Sequence, residues 1–275
     1  MNDIVTPTRP EAARTARPAQ AIPEHIVEVI SDSGEGAQRC GQSLAAIAAR
    51  MGNGIWTTEI IPAEIQPPAR SVAGASGIRI RIGSQRVTNG GDQTDLVVAF
   101  NEQVLIGRVQ AGELKRGATI LLESMWREHR DPTVVASYVK TVDALRQDGF
   151  DVHEVPLEAR CKELVSDPRK GKNMFVLGLL CNLYGLDADL AREQIARIFG
   201  KKDEKVIRSN VGLYQAGAAW ARRICRSSTA LRRRAQKRRR SSSTATPRSR
   251  WVSSPRAWTS ARCTRSRRPP RPRIT

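Results

Sequence analysis

The sequence predicts an α/β fold with a mainly parallel sheet, helices on both faces, a helical C-terminal part and disordered ends. Short apolar runs alternate with stretches of helical periodicity as far as about residue 168, and only helical periodicity follows. Strands that alternate with helices are joined by right-handed crossovers, which place the strands parallel in one sheet. The roughly 200 residues between the two ends are enough for one domain with its own core.

The first predicted unit is a strand, a glycine turn and a helix. The apolar run at residues 26–30 predicts a buried strand, and residues 31–36 interrupt it with two glycines. Apolar residues then recur at three- and four-residue steps through residues 37–51, which predicts an amphipathic helix ending at Gly52. This order is typical of Rossmann-like folds.

Five more strands are predicted from short apolar or alternating runs, at residues 56–61, 78–82, 96–100, 118–122 and 152–155. Isoleucines alternate with Arg79 and Arg81, which predicts a strand with one face in water. Residues 62–77 are rich in Pro, Gly, Ala and Ser and are predicted to form a long loop, a feature that is often functional.

Helical periodicity predicts four more helices, at residues 134–147, 174–184, 187–199 and 203–220. The helix at 174–184 is apolar almost all round, which predicts that it is buried. Asn101 follows a predicted strand and is placed to cap a short helix.

The formal net charge of +19 is confined to the end of the chain. Residues 222–275 contain 18 Arg, one Lys and no acidic residue, whereas residues 1–221 hold 27 basic and 27 acidic residues. The tail is too poor in large apolar residues to fold alone, and its arginines bind polyanions without specificity. Residues 1–23 are predicted to be a disordered leader, which leaves residues 24–221 as the domain.

Several classes of protein are excluded by what the sequence lacks. It has no apolar run long enough for a transmembrane helix and no secretory signal. The five cysteines never form a CxxC pair, so no zinc or iron–sulfur site is expected from this chain alone. Their scattered spacing predicts reduced thiols in the cytoplasm. The three histidines have no metal spacing or partnered nucleophile, so no catalytic residue is predicted.

Gly34 and Gly36 are the first candidate binding residues, because two glycines between a strand and a helix allow a ligand to approach the helix N-terminus closely. A phosphate or carboxylate suits such a place. A dinucleotide fingerprint needs a third glycine where Arg39 stands, so NAD binding is poorly supported. A turn that only connects the strand and the helix is the alternative.

Two further candidates have equally plain alternatives. Arg70, Ser71 and Ser76 lie in the long loop and would hold an anion through guanidinium and hydroxyl donors, unless the loop is merely solvated. Asn101 lies at the C-terminal end of a strand, the edge at which ligands bind in open α/β sheets, unless it is only a helix cap.

Four motifs in order resemble those of 2-oxoacid:ferredoxin oxidoreductases, in the gamma domain at the start of a fused alpha subunit. They are SDSGEGAQ at residues 31–38, PAEIQPPARSVAGASG at 62–77, DLVVAFNE at 95–102 and KNMFVLGLL at 172–180. The resemblance implies that Gly34, Gly36, Gln38, Arg70, Ser71 and Ser76 line an anion-facing edge of the sheet. It also implies that Asn101 and Lys172 support that edge.

The same resemblance implies the reaction and the partners. The family oxidatively decarboxylates a 2-oxoacid, such as pyruvate or 2-oxoglutarate, with thiamine diphosphate and Mg²⁺. It passes the electrons through iron–sulfur clusters to ferredoxin and forms an acyl-CoA. This chain would then be a subunit that pairs with a beta subunit and is inactive alone.

The tail departs from this resemblance, because a thiamine diphosphate-binding domain is expected after about residue 221. A composition dominated by Arg, Ser and Pro instead suggests an out-of-frame or truncated segment, with a genuine basic tail as the alternative. Two other functions stay open: a free-standing nucleotide- or NAD-binding oxidoreductase, and a nucleic-acid-binding protein that acts through its tail.

Overall fold

The computed structural model describes residues 20–61, 75–200, 202–227 and 233–235. The strands are β1 (Gln20–Ile22), β2 (Glu24–Asp32), β3 (Gly54–Ile60), β4 (Ala75–Gly83), β5 (Thr94–Ala99), β6 (Leu114–Glu123), β7 (Asp151–Val155) and β8 (Arg233–Ala235). The helices are α1 (Ala37–Arg50), α2 (Glu102–Gln110), α3 (Pro132–Gln147), α4 (Leu157–Lys162), α5 (Lys172–Leu183), α6 (Ala188–Phe199) and α7 (Glu204–Ser227).

Six strands form one mixed sheet in the order β3-β4-β2-β5-β6-β7. The pairs β2–β5, β5–β6 and β6–β7 are parallel, whereas β4 is antiparallel to both of its neighbours. Five strands of this sheet therefore run in one direction and β4 runs against them. The predicted fold class, an α/β fold with a mainly parallel sheet, is confirmed.

Each face of the sheet carries its own apolar core. Alternate residues of β2 and β5, such as Val29 and Val98, pack on one face with α1, α5, α6 and α7. Their neighbours Ile30 and Val97 point to the other face and pack with α2 and α3. Because side chains of a strand alternate between faces, a strand that is apolar at every position must be covered on both sides.

The polar face of β4 differs from the prediction. Arg79 does not face open water, because its Nε donates to Glu28 Oε1 at 2.7 Å and its Nη2 donates to Glu113. Arg108 of α2 donates to the same Glu28, whose side chain is fully buried. Alternation along a strand shows that one face is polar, but it cannot show that a helix covers that face with paired charges.

Regular secondary structure is also present outside residues 24–221. Gln20–Ile22 pairs in parallel with Arg233–Ala235, and α7 continues to Ser227, beyond the predicted boundary at residue 221. The remainder of the predicted leader, loop and tail lies outside the described residues. The short helix α4 was not predicted, because six residues are too few to display a helical period.

The buried helix α5 organises the C-terminal part. Eleven of its twelve residues are buried, which confirms the prediction from its apolar composition. It crosses α7 at two glycines: a Cβ on Gly178 would lie 1.9 Å from the Tyr214 carbonyl oxygen, and a Cβ on Gly217 would lie 1.9 Å from that of Phe175. The crossing therefore requires glycine on both helices. None of the helices in the described ranges has the length and apolar composition that crossing a bilayer requires.

Candidate functional site

The glycine turn joins the C-terminal end of β2 to α1 and adopts a backbone that favours glycine. Gly34 and Gly36 have φ angles of 89° and 86°. Gly36 is the N-cap residue of α1, so no side chain caps this helix. A Cβ on Gly36 would lie 2.7 Å from Nδ2 of Asn173. Gly36 thus permits the start of α5 to pack against the turn.

Lys172, the first residue of α5, is bound to the same turn. Its ammonium lies 3.3 Å from Glu35 Oε1, 3.9 Å from Glu123 Oε2 and 3.5 Å from Glu158 Oε2, and its side chain is 2% exposed. It also lies 5.9 Å from the centre of the Phe100 ring, at the end of β5. Segments from the ends of β2, β5 and β6 therefore meet around one buried cation.

Glu123 ends β6 and binds the following segments through backbone hydrogen bonds. Its Oε1 accepts from the N–H groups of Met125 and Leu157, each at 3.1 Å, and its Oε2 accepts from the N–H of Glu158 at 2.9 Å. Leu157 and Glu158 begin α4, which has no side-chain cap of its own. The carboxylate therefore supplies from β6 the acceptor that the helix N-terminus needs.

The charges of this cluster shift one another's ionisation. Burial raises the pKa of Glu123 to about 7, although Lys172 and the backbone donors oppose that rise. Burial likewise raises the pKa of Glu35, and Lys172 offsets only part of the effect. Burial lowers the pKa of Lys172, but the three carboxylates outweigh it and hold the pKa above its ordinary value. Lys172 is therefore charged at neutral pH.

A cavity of about 520 Å³ opens beside the turn. It is lined by residues of the turn, α1, β4, the 3₁₀ helix Pro168–Lys170, α5, α6 and α7: Gly34, Glu35, Gly36, Ala37, Gln38, Arg39, Gln42, Ser76, Arg169, Lys170, Asn173, Phe199, Val206 and Asn210. The N-termini of α1 and α5 both reach this lining without a side-chain cap and without an acidic residue in the first turn. Such helix ends favour a negative charge.

Asn173 adds a polar group with unused hydrogen-bonding capacity. It is 8% exposed and lines the cavity, yet its Oδ1 has no hydrogen-bond partner in the structure. Buried amides normally have partners for both atoms. Rotation of the amide by half a turn would present its NH₂ group in place of Oδ1. A ligand in the cavity would complete these bonds.

The structure brings four of the predicted site residues together and places a fifth, Lys172, directly behind them. Gly34, Gly36, Gln38 and Ser76 all line the cavity. Lys172 is buried behind Glu35 and reaches the cavity through it. Arg70 and Ser71 lie outside the described residues.

Asn101 takes the structural role that the sequence left open. It is buried, and its Oδ1 accepts from the N–H of Val104 at 2.9 Å, which makes it the N-cap of α2. The cap uses the side-chain acceptor within its own helix, and a contact between Asn101 and a ligand stays a prediction.

Several residues of the site were not predicted from the sequence. Glu35 and Asn173 lie inside the motifs that carried the resemblance, next to residues that were chosen. Arg39, Arg169 and Lys170 had no periodicity or spacing that would single them out. Glu123 could have been found as an acidic residue at the C-terminal end of a buried strand.

The family model for pyruvate ferredoxin/flavodoxin oxidoreductases matches residues 28–220. The chain belongs to this family. The match includes the glycine turn, the cavity lining and the Lys172 cluster, so the family resemblance is confirmed over residues 28–220.

The chain is similar to two characterised kinds of 2-oxoacid oxidoreductase subunit. The chain is 29% identical over 219 residues to the 2-oxoglutarate oxidoreductase subunit KorA of Mycobacterium tuberculosis, covering 77% of this chain and 33% of that protein. It is 30% identical over 200 residues to the ketoisovalerate oxidoreductase subunit VorA of Methanothermobacter marburgensis, covering 72% and 36%. The chain thus spans about a third of the length of these relatives.

Solved structures of the family share the fold. The 2-oxoglutarate:ferredoxin oxidoreductase of Magnetococcus marinus, solved with 2-oxoglutarate, coenzyme A and succinyl-CoA, matches 74% of this chain and 32% of its own with a TM-score of 0.59 and 25% identity. The pyruvate oxidoreductase subunit PORC of Thermotoga maritima matches 72% of this chain and 97% of its own with a TM-score of 0.51 and 17% identity. The second match supports the fold alone.

Within the described ranges, no group of three or more His, Cys, Asp or Glu side chains is arranged to hold a metal ion. Cys40, Cys161 and Cys181 are buried. Burial raises the pKa of Cys161 and of Cys181 to about 12, and it raises that of Cys40 as well. These thiols are therefore protonated at neutral pH when no metal ion is bound.

Proposed function

We propose that this chain supplies the gamma-type domain, residues 24–221, of a 2-oxoacid:ferredoxin oxidoreductase. In this complex a 2-oxoacid, 2-oxoglutarate or a related one, is oxidatively decarboxylated to an acyl-CoA, and ferredoxin accepts the electrons. Family membership and the relatives that act on 2-oxoglutarate and ketoisovalerate support this function. By itself the chain is inactive. It functions in a complex with a beta subunit, in the cytoplasm.

Thiamine diphosphate, Mg²⁺ and the iron–sulfur clusters would be held elsewhere in the complex. Among the described residues, no group of three or more His, Cys, Asp or Glu side chains is arranged to hold a metal ion. The contribution of this domain is therefore binding and positioning, whereas the bound cofactors supply the redox chemistry.

The cavity beside the glycine turn is the observation that carries the proposal for this domain. Three cationic side chains, Arg39, Arg169 and Lys170, line it together with two uncapped helix N-termini. Gly34, Gly36, Gln38 and Ser76 add backbone and side-chain donors. This arrangement suits a phosphate or carboxylate group. We assign it to the phosphate groups of coenzyme A.

Calorimetric titration of the full chain with coenzyme A, 2-oxoglutarate, NAD and FAD tests this assignment. Coenzyme A is expected to bind, and Arg39→Ala or Arg169→Ala is expected to weaken it at least about tenfold, since each removes a charged contact. Arg50→Ala, at the opposite end of α1, is the matched control because Arg50 pairs with Glu193 instead. The basic tail is present in every variant and contributes equally.

The ligand that binds most tightly distinguishes the proposed function from its alternatives. Preferred binding of 2-oxoglutarate would move the assignment from coenzyme A to the 2-oxoacid. Preferred binding of NAD or FAD would instead support a free-standing nucleotide-binding oxidoreductase. Equal binding by the arginine variants and the wild type would contradict the cavity as the site.

Co-expression with a beta-type subunit tests the assembly. The two chains are expected to co-purify under reducing conditions, and the variants in the cavity are expected to retain this association. Absence of a complex when a thiamine diphosphate-binding partner domain is supplied would contradict the subunit role.

We also propose that residues 222–275 are an out-of-frame segment. The proposal rests on their composition of Arg, Ser and Pro without acidic residues. Translation of the other two frames downstream of codon 221 tests it directly. A continuation with balanced acidic and basic residues supports the proposal, and two frames without one would favour a genuine basic tail. Nucleic-acid binding that persists in a chain stopped at residue 221 would contradict a role for that tail.

A further inference from the structure

Glu35 is an acidic side chain in a cavity lining whose other charged groups are cationic. The lining includes Arg39, Arg169 and Lys170 on the positive side, and Glu35 on the negative side. The Glu35 side chain is 17% exposed, and one of its oxygens accepts a hydrogen bond from Lys172 at 3.3 Å. An ionised carboxylate at this place opposes the entry of an anion, because like charges repel strongly in a partly buried site.

Lys172 cannot fully compensate Glu35, since it is shared. The ammonium also faces Glu123 of β6 and Glu158 of α4, at 3.9 and 3.5 Å. If all three carboxylates are ionised, one positive charge serves three negative ones. Lys162 compensates Glu158 at 2.8 Å, but Glu123 has no second cationic partner among the ion pairs of the described residues. In that state the three carboxylates would carry one more charge than Lys172 and Lys162 together supply.

The groups that face Glu35 come from three elements. Asp32 at the end of β2 repels its negative charge, whereas Lys172 of α5 and Arg169 of the 3₁₀ helix stabilise it. Burial outweighs these two cations and raises the pKa of Glu35. The carboxyl group is thus prepared to bind a proton when one more negative charge arrives.

We propose that Glu35 takes up one proton when an anion occupies the cavity, so that occupancy of the cavity depends on pH. This inference rests on the proposed anion site. The proton comes from solvent and returns to it when the anion leaves. Protonation removes the repulsion between carboxylate and anion, and it turns Glu35 into an O–H donor. Anion binding is therefore favoured as the pH falls.

Sulfate is a suitable probe because it does not itself titrate near neutral pH. We would titrate the full chain with sodium sulfate at several pH values between about 5.5 and 8, following the backbone amide resonances of Gly34 and Gly36. The dissociation constant is expected to rise with pH, approaching about tenfold per pH unit for one linked proton. The tail arginines keep their charge throughout this range and add no slope.

Three variants assign the proton. Glu35→Gln is expected to bind sulfate with a dissociation constant that no longer depends on pH. Glu123→Gln is expected to keep the wild-type slope, and loss of the slope in this variant would overturn the assignment to Glu35. Glu193→Gln removes an equal charge near the opposite end of α1 and is expected to keep the slope as well.

The outcomes also separate this inference from the proposed function. Sulfate that perturbs Gly34 and Gly36 with equal affinity at every pH would overturn the role of Glu35 and leave the anion site standing. Absence of any perturbation at these glycines, in the wild type and in Glu35→Gln, would overturn both.

Discussion

The ammonium of Lys172 lies 3.3 Å from the carboxylate of Glu35, although 137 residues separate them in the chain. The contact joins the glycine turn after β2 to the first turn of α5. Beside this contact, Asn173 packs closely against Gly36 and so also joins the start of α5 to the glycine turn. The charge and the shape of the cavity both depend on this junction.

The two glycines of the turn are expected to differ in what alanine costs. Gly34→Ala should lower the free energy of unfolding by about 1 kcal/mol, because a positive φ is strained for alanine and nothing lies within 4 Å of its Cβ. Gly36→Ala should lower it by about 3 kcal/mol, because the Cβ also meets Asn173 at 2.7 Å. Urea denaturation followed by circular dichroism measures both. Equal losses would contradict the close approach.

The crossing of α5 and α7 should not tolerate a methyl group. Gly178→Ala is expected to lower the free energy of unfolding by about 2–4 kcal/mol, since its Cβ would overlap the Tyr214 carbonyl and force the helices apart. Gly212→Ala, also on α7, has open space and should instead raise stability by about 0.5–1 kcal/mol through helix propensity. Thermal and urea unfolding test the pair, and a stable Gly178→Ala variant would refute the crossing.

Glu123 should make stability fall as the pH rises from about 4.5 to 7. Its pKa is raised to about 7 in the folded protein from an ordinary value of 4.5, so the unfolded chain loses its proton first. The contribution is complete below pH 4.5 and lost by about pH 7, on the order of 3 kcal/mol.

Glu123→Gln isolates this effect from groups that titrate in the opposite direction. Glu154 has a lowered pKa, so its contribution grows with pH, and it does so in both proteins because it lies outside the Lys172 cluster. The difference in free energy of unfolding between wild type and variant should change across pH 5 to 7, as measured by urea denaturation at about three pH values in that range. A constant difference would show that Glu123 does not titrate there.

Asn101 should matter for stability and not for ligand binding. Asn101→Ala is expected to lower the free energy of unfolding by about 1 kcal/mol, because the N–H of Val104 loses its acceptor. Asn101→Asp keeps an acceptor oxygen and should recover most of the loss. Calorimetric titration should give the wild-type dissociation constant for coenzyme A in both variants. Weaker binding would show that Asn101 is a ligand-binding residue as well as a helix cap.

The strands and long helices were predictable because each needs only a local signal. Apolar runs identified the strands that are covered on both faces, and three- and four-residue periodicity identified α1, α3 and α5 to α7. The helix α4 escaped prediction because six residues are too few to display a helical period, and its cap comes from Glu123, 34 positions away from Leu157. No local pattern can reveal a cap that comes from another strand.

The sequence predicted the kind of ligand and the place of the candidate site, but only some of the residues that line it. Strand, glycine turn and helix gave the place of an anion site, since backbone conformation at two glycines and the end of a helix are local properties. The resemblance added Gln38 and Lys172. The cationic lining from Arg169 and Lys170 could not be predicted, because it faces the turn only after α5 packs against α1.

Local sequence thus determined the α/β class, the order of its elements and the glycine turn, because these depend on short-range periodicity and backbone preference. Tertiary packing decided which charges meet. It covered Arg79 with Glu28, used Asn101 as a cap, and buried Lys172 among three carboxylates. Arg79 and Glu28 are 51 positions apart, and Lys172 and Glu35 are 137 positions apart. The free energy of each of these charges therefore depends on neighbours that only the folded chain supplies.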